Sequence, residues 1–352
     1  MLIHQNFTGG NIRIIRTEGS EIYLDNELRD TTQDWFYWAF CIEGAAGQTL
    51  TFRFPEIRIG YYGPAVSHDL KTWNWLGKGE EINAFTYTFA PDENKVYFAH
   101  NMLYHPDRFA AFAARSGLQT EEFCLSPKGR SVPCLRFGEG ERTVLLTARH
   151  HACEATGNYV LEGVLESLLR DPIPNTRVIC VPFVDYDGVV DGDQGKARAP
   201  YDHNRDYSPD TPAIYPEVAA LRRIGADGIL YAFDFHSPWH WGRNNDNVFV
   251  VRKREDKTAN YDRFGALLEG ATMTDGALKY YCKNDMQPNV AWNTPDTPTY
   301  ACYMNDIGGA DLAFTLETTY FGHEDNIFTQ EKGVELGRCF AEALRSYENT
   351  RI

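Results

Sequence analysis

The sequence predicts an α/β protein with a mixed, mostly parallel sheet flanked by helices, preceded by a small antiparallel β-sandwich domain. Up to about residue 105, short apolar runs are bounded by Gly, Asn and Asp, and no long helical period occurs. From residue 106, strand-like and helix-like segments alternate, which is typical of a parallel sheet with helices on both faces. We therefore expect two domains, residues 1–105 and 106–352.

The first domain is predicted from runs rich in β-branched and aromatic residues. These runs cover residues 12–15, 35–41, 49–54 and 95–99. Short strands separated by turn residues favour an antiparallel sandwich.

The second domain begins with a predicted helix over residues 106–118. Apolar runs predict strands over residues 143–147, 177–183, 229–235 and 312–317, and longer patterns predict helices over 154–170, 212–223, 261–269 and 329–346. Ligands of open α/β sheets bind beyond the carboxyl ends of the strands, so polar residues at those ends are candidates for a functional site.

Composition excludes several classes of partner. The net charge is −15 and no basic run occurs, which argues against nucleic acid or an anionic membrane. There is no apolar stretch of about 18 residues, and the first residues lack a signal-peptide pattern. The eight cysteines are scattered, so we expect free thiols and a cytoplasmic location.

A metal site is predicted where three strands end. His151 and Glu154 follow the strand over 143–147, His236 follows the strand over 229–235, and Glu317 ends the strand over 312–317. Two His and one Glu are the ligands of a catalytic zinc that keeps one position open. Residues three apart on a helical turn share a face, so His151 and Glu154 can reach one ion.

Two neighbours of this pair are competing ligands. His150 lies next to His151, but only His151 has Glu three positions later. We expect Cys153 to point away from the face shared by His151 and Glu154, and to serve packing.

Four short motifs in order resemble the zinc carboxypeptidase family of the carboxypeptidase A type. The family pattern reads HPGE, DxNR, DxH and TxE, and the matching segments are HACE at 151–154, DHNR at 202–205, DFH at 234–236 and TLE at 315–317. The resemblance covers roughly residues 122–345, and includes SPKGR at 126–130, similar to a turn before the family's first core strand.

The resemblance implies one zinc ion per chain, bound by His151, Glu154 and His236. It also implies that Asp202 orients the first His ligand, since a metal-bound His needs an acceptor for its other ring N–H. Glu317 would be the general base that activates the zinc-bound water.

The resemblance further implies an exopeptidase. Asn204 and Arg205 match the pair that grips the α-carboxylate of a peptide substrate, and a guanidinium suits a carboxylate because the two pair through parallel hydrogen bonds.

Two departures from the family pattern concern catalysis and specificity. A gapless match places Gly195 where the family has an Arg that stabilises the oxyanion, and we favour Arg198 over Lys196 as its replacement. Tyr300 lies near the Arg with which cytosolic relatives bind an acidic side chain, so an aromatic or neutral preference is equally open. Tyr300 and Tyr303 are also candidates for a phenol that hydrogen-bonds the substrate's terminal region.

The first domain carries its own resemblance. The segments WFYW at 35–38, GPAVS at 63–67, WNW at 73–75 and YFAHNMLY at 97–104 are similar to the amino-terminal domain of cytosolic carboxypeptidases. A sugar-binding sandwich is the alternative, because SHD at 67–69 with Trp73 resembles an exposed lectin-type loop.

These features together predict a zinc metallocarboxypeptidase that releases C-terminal residues from peptides. A zinc amidohydrolase or deacylase acting on small N-acyl amino acids is an alternative, since the same site serves that chemistry. An inactive fold that acts as a binding module is a second alternative. The sequence does not indicate an oligomeric state.

Overall fold

The computed structural model describes residues 1–350, which form three β-sheets and seven α-helices. Two sheets lie within the first hundred residues and the third, with all seven helices, follows. The predicted fold class is confirmed, and the domain boundary at residue 105 stays a prediction. No α-helix within residues 1–350 is long and apolar enough to span a membrane.

The first part of the chain consists of nine short strands in two sheets. The strands are β1 (Leu2–His4), β2 (Arg13–Glu18), β3 (Glu21–Asp25), β4 (Ala39–Glu43), β5 (Thr49–Arg53), β6 (Ala65–Ser67), β7 (Asn74–Trp75), β8 (Ala84–Thr88) and β9 (Lys95–Ala99). One sheet has the order β1-β4-β9-β6-β7 and the other β2-β3-β5-β8. All neighbours pair antiparallel except β3 and β5, which are parallel.

Aromatic side chains fill the space between these two sheets. Trp38, Phe40, Phe52, Phe85 and Phe98 are buried in one cluster, with Phe52 and Phe85 stacked at a ring distance of 4.8 Å. The rings bury large apolar areas, which stabilises a sandwich of such short strands.

The second part of the chain forms a seven-stranded sheet with helices. Its strands are β10 (Glu121–Leu125), β11 (Ser131–Phe137), β12 (Arg142–Ala148), β13 (Thr176–Val181), β14 (Tyr231–His236), β15 (Phe249–Val251) and β16 (Leu312–Glu317). The helices are α1 (Pro106–Arg115), α2 (Thr156–Arg170), α3 (Tyr186–Asp191), α4 (Pro216–Ala226), α5 (Thr258–Thr272), α6 (Tyr300–Asp306) and α7 (Gln330–Asn349). The sheet order is β10-β11-β13-β12-β14-β16-β15.

Strands β13, β12, β14 and β16 are parallel to one another. At the edges, β11 pairs antiparallel with β13, β10 pairs antiparallel with β11, and β15 pairs antiparallel with β16. The four central strands are the ones predicted from apolar runs, because a strand buried on both faces is apolar throughout. The sequence prediction missed the edge strands, whose apolar runs are shorter or mixed, and the short helices α3 and α6.

Helices α2 and α7 cross at almost backbone contact. A Cβ on Gly163 would lie 1.9 Å from the carbonyl oxygen of Val334, and one on Gly337 would lie 2.0 Å from that of Val160. Glycine is therefore required at both positions for the helices to approach so closely.

Asp30, in the first part of the chain, forms hydrogen bonds with a loop of the second part. The carboxylate of Asp30 accepts hydrogen bonds from the backbone N–H groups of Gln194 and Gly195, at 3.0 and 2.7 Å. The carbonyl of Asp30 accepts another from Ala199 at 2.7 Å. These contacts fix the loop over residues 192–199.

Candidate active site

The carboxyl ends of three parallel strands bring the predicted metal ligands to one edge of the sheet. His236 and Glu317 are direct neighbours at the ends of β14 and β16. The loop that carries His151 and Glu154 follows β12, whose last residue, Ala148, pairs with Phe235. Helix α2 begins at Thr156 and not at 154, so the ligand pair lies in the turn before the helix.

Three side chains converge on one point. His151 Nδ1 lies 2.8 Å from one carboxylate oxygen of Glu154, and His236 Nδ1 lies 2.6 Å from the other. The three ligand atoms lie within 4.8 Å of one another, and all three residues are buried. Burial alone would raise the pKa of Glu154, but the two histidines hold it well below its ordinary value.

The far nitrogen of each histidine has a carboxylate partner. Asp202 lies 3.2 Å from His151 Nε2, and Asp234 lies 2.6 Å from His236 Nε2. A carboxylate in that place fixes the ring so that its other nitrogen faces the metal. His150 is turned away from the site, since its ring nitrogens lie 2.8 Å from Asp234 and 2.7 Å from Tyr207.

The donor set fits zinc. Two imidazole nitrogens and one carboxylate are the ligands of catalytic zinc sites, and both histidines offer Nδ1 while Nε2 is held by an acid. Cys153 does not join this set, because its sulfur faces the hydroxyl of Tyr320 at 3.7 Å, and burial raises the pKa of its thiol to about 12.

Glu317 stands next to the ligands with one oxygen unpaired. Its Oε2 is buried without a hydrogen-bond partner among the described residues. Burial raises the pKa of Glu317 to about 7, against an opposing effect of His236. A buried carboxylate without a partner is costly, so its place here suggests a chemical use.

Asn204 and Arg205 line the same pocket as the histidines and Glu317. Asp202 holds their turn, because one of its carboxylate oxygens accepts the N–H of Asn204 at 2.8 Å. The Arg205 guanidinium donates to the carbonyl of Asn204 at 3.0 Å and makes no ion pair within residues 1–350. It is therefore free to bind an anion.

The structure does not bring Arg198 to this pocket. Its guanidinium is paired with the carboxylates of Asp185 and Asp193. Lys196 lies there instead, with Nζ 3.4 Å from His151 Nδ1 and 3.8 Å from Glu154. The sequence prediction that favoured Arg198 over Lys196 is corrected by this geometry.

Tyr300 does not line the pocket either. It is fully buried at the start of α6, and its hydroxyl donates to the carbonyl of Leu145 at 3.1 Å. Its backbone N–H donates to Asn204 Oδ1 at 3.0 Å, so it holds Asn204 in place and is not positioned to meet a substrate side chain.

Lys253 and Trp292 line the pocket and were missed by the sequence prediction. Lys253 is 4% exposed, and its ammonium donates to Asn293 Oδ1 at 2.8 Å. Burial lowers its pKa. The pairing of β15 with β16, which sets Val251 opposite Thr315, brings Lys253 to the site.

A family model described as the cytosolic carboxypeptidase N-terminal domain matches residues 3–100. An uncharacterised protein of Zymomonas mobilis is 29% identical over 96% of this chain and 94% of its own length. Cytosolic carboxypeptidase 2 of Xenopus tropicalis is 23% identical over 79% of this chain. The alignment spans only 33% of that longer protein.

Solved structures share the whole fold. A metallo-carboxypeptidase from Burkholderia cenocepacia superposes with a TM-score of 0.80 at 20% identity, covering 99% of both chains. A metallo-carboxypeptidase from Pseudomonas aeruginosa, in complex with (2-guanidinoethylmercapto)succinic acid, gives the same TM-score, identity and coverage. The chain therefore has the fold of these metallo-carboxypeptidases, and its residues 3–100 are similar to the N-terminal domain of cytosolic carboxypeptidases.

Proposed function

We propose that this protein is a zinc-dependent metallocarboxypeptidase that releases single residues from the C-termini of peptides. One observation carries the proposal. His151, Glu154 and His236 converge beside a carboxylate with an unpaired oxygen, Glu317, in the pocket that Arg205 also lines. Metal ligands, a base and an anion-binding cation thus share one pocket.

His151, Glu154 and His236 would hold the zinc. When bound, zinc supplies Lewis acidity, which lowers the pKa of water towards about 7 and polarises a carbonyl group. Glu317 removes the proton of the attacking water and delivers it to the leaving amine. Its unpaired Oε2 is available for that proton.

Lys196 would stabilise the negative charge that develops on the carbonyl oxygen. Its ammonium lies 3.4 Å from His151 Nδ1 and 3.8 Å from Glu154, whereas Arg205 and Lys253 form no ion pair with the ligands within residues 1–350. A preorganised donor of this kind contributes roughly 3 kcal/mol to the transition state.

Asn204 and Arg205 would grip the terminal α-carboxylate. A guanidinium without an acidic partner binds a carboxylate through paired, charge-assisted hydrogen bonds. The grip on a free carboxylate restricts cleavage to the last peptide bond.

Lys253 would select an acidic terminal side chain. It lies on the wall of the pocket with Val251 and Thr315, and it has an amide, not a carboxylate, as its partner. A substrate carboxylate would neutralise this buried ammonium. A cytoplasmic location remains a prediction from the cysteines, and it fits the cytosolic type of amino-terminal domain.

The proposal is tested with peptides that differ only in the last residue, with and without chelator. The key variant is Glu317→Gln, which removes the base and keeps the size of the side chain, and exposed Glu331→Gln is its matched control. We expect zinc-dependent release of single C-terminal residues and a loss of about 10²–10⁴-fold in kcat for Glu317→Gln at unchanged zinc content.

Two results would contradict the proposal. If zinc is bound and no peptide is cleaved, while small N-acyl amino acids are hydrolysed, the protein is an amidohydrolase. If neither class is turned over and Glu317→Gln changes nothing, the fold acts as a binding module.

A further inference from the structure

An aromatic row leads away from the candidate active site, from Trp35 of the first part of the chain along the loop over residues 239–241 of the second. It starts at Trp35, whose ring centroid lies 5.9 Å from Lys196 Nζ. Trp35 packs edge-on against Trp239 at 4.8 Å. Two residues later in the same loop, Trp241 stacks against His240 at 4.4 Å, and His240 packs edge-on against Trp239 at 4.9 Å.

The row ends in an apolar groove of about 350 Å³. Trp241 forms one wall and stacks against Tyr61 at 5.2 Å. Ile57, Ile59 and Ile82 contribute the other large apolar side chains of the lining. Ile57, Tyr61 and Ile82 are 41, 42 and 64% exposed, so large apolar side chains cluster on the surface here.

We propose that this groove binds the part of the substrate chain that lies upstream of the scissile bond, and that it selects apolar side chains there. The inference rests on the proposed function, because only a peptidase has such a segment to bind. Continuity with the active site supports this occupant, since Trp35, Trp239 and Trp241 are each at least partly exposed between Lys196 and the groove, while His240 packs beneath the surface between Trp239 and Trp241.

The length of the row limits which residues reach the groove. Its ring-to-ring steps of about 5 Å add up to roughly 20 Å, which is the greatest distance the row can span, and an extended peptide rises about 3.3 Å per residue. Side chains up to about eight residues before the scissile bond would therefore occupy the groove.

The charges at the rim disfavour an acidic segment as the occupant. Glu81 is paired with Arg53 at 2.6 Å, and Lys78 and Glu80 carry opposite charges. The groove thus offers no net positive charge, in contrast to the pocket with Lys196, Arg205 and Lys253. A substrate with an acidic last residue and an apolar upstream segment fits both surfaces.

The test compares three substrates that share their last two residues. One is a blocked dipeptide, one is a decapeptide with Leu and Phe at the upstream positions, and one is a decapeptide with Ser and Gly there. The variant is Ile82→Asp, and its matched control is Ile14→Asp, another exposed isoleucine of the amino-terminal sheets on the edge strand β2.

We expect the wild-type protein to cleave the apolar decapeptide with a kcat/KM about tenfold above that of the polar one, as contacts of one or two apolar groups provide. Ile82→Asp removes this difference without changing turnover of the dipeptide, and Ile14→Asp leaves it intact. Equal kcat/KM for the two decapeptides, or a preference that survives in Ile82→Asp, overturns the proposal.

A binding measurement separates this inference from the proposed function. Fluorescence anisotropy with the labelled apolar decapeptide reports occupancy of the groove even if no substrate is cleaved. Weaker binding to Ile82→Asp than to Ile14→Asp supports the groove, and equal binding overturns it. Failure of the dipeptide to react contradicts the proposed function alone.

Discussion

Replacement of Lys253 by Met should remove the preference for an acidic terminal residue. Met keeps the length and volume of the side chain and removes the charge, so the pocket wall is preserved. Lys253 is 4% exposed, and its ammonium has Asn293 as its hydrogen-bond partner and forms no ion pair with an acidic residue in the described chain. Glu317 acts on Lys253 electrostatically without forming an ion pair, so a substrate carboxylate would be the first anion within ion-pair distance.

The size of the effect follows from this environment. A hydrogen bond to a charged group contributes about 1.5–3 kcal/mol. Since about 1.4 kcal/mol corresponds to a factor of ten, kcat/KM for a peptide that ends in Glu should fall by about 10–150-fold in Lys253→Met. The same peptide ending in Gln lacks the charge, and its kcat/KM should change by less than about threefold.

The assay measures the ratio of kcat/KM for the Glu and Gln peptides in wild-type protein, Lys253→Met and the surface control Lys71→Met. The control should keep the wild-type ratio, because Lys71 is exposed. An unchanged ratio in Lys253→Met would refute the argument. A loss of equal size for both peptides would place Lys253 in catalysis or folding and not in selection.

Three further predictions concern the metal, the helix crossing and pH. Asp202→Asn should weaken zinc binding by about 10–100-fold in a competition titration, because His151 loses the acceptor for its Nε2; an unchanged affinity would contradict its orienting role. Gly163→Ala should lower the free energy of unfolding, measured by urea denaturation, by about 1–3 kcal/mol, because the added Cβ would lie 1.9 Å from the carbonyl oxygen of Val334. The control Gly270→Ala on α5, which has open space around it, should raise the free energy of unfolding by about 0.5–1 kcal/mol. Burial raises the pKa of Glu217 to about 8 in the folded protein, from an ordinary value of 4.5 in the unfolded chain. Between these pH values the unfolded chain loses the proton and the folded chain keeps it, so Glu217 lowers the free energy of unfolding more and more as the pH rises. Glu217→Gln should therefore gain stability over the wild type from pH 5 to pH 8, and an equal difference at both pH values would contradict the assignment.

The convergence of the proposed metal ligands could be predicted from the sequence because local rules determine their place. His151, Glu154, His236 and Glu317 follow or end apolar strands, and parallel strands present their carboxyl ends at one edge. Neither rule requires knowledge of the loops. The central strands were found for a related reason, since their buried residues form continuous apolar runs.

The choice between Lys196 and Arg198 depends on loop geometry that the sequence does not encode locally. Gly195 has a φ of 80° and approaches the backbone N of Ala152 so closely that a Cβ would lie 2.0 Å from it. This turn directs Lys196 to the ligands, and Arg198 then meets Asp185 and Asp193. A gapless alignment gives positions in the chain and not the directions of side chains.

Lys253 was not singled out from the sequence, and Tyr300 was expected at the substrate, because the surroundings of both residues are distant in sequence. Lys253 follows a strand of three residues, too short to detect by periodicity, and lies in a segment of mixed charge that resembles an exposed loop. Tyr300 lies on a helix of seven residues whose first six are all buried, so its position in the alignment did not correspond to a place in the pocket.

The grip of Asp30 on the loop over 192–199 makes the amino-terminal sheets part of the catalytic unit. A fragment that begins at residue 106 would keep every metal ligand, but it would lose the carboxylate that fixes Gly195, and with it the placement of Lys196. We expect such a truncated enzyme to bind zinc as the full chain does, but to polarise the substrate carbonyl poorly. Transferring the proposed activity to another scaffold would therefore require both parts of the chain.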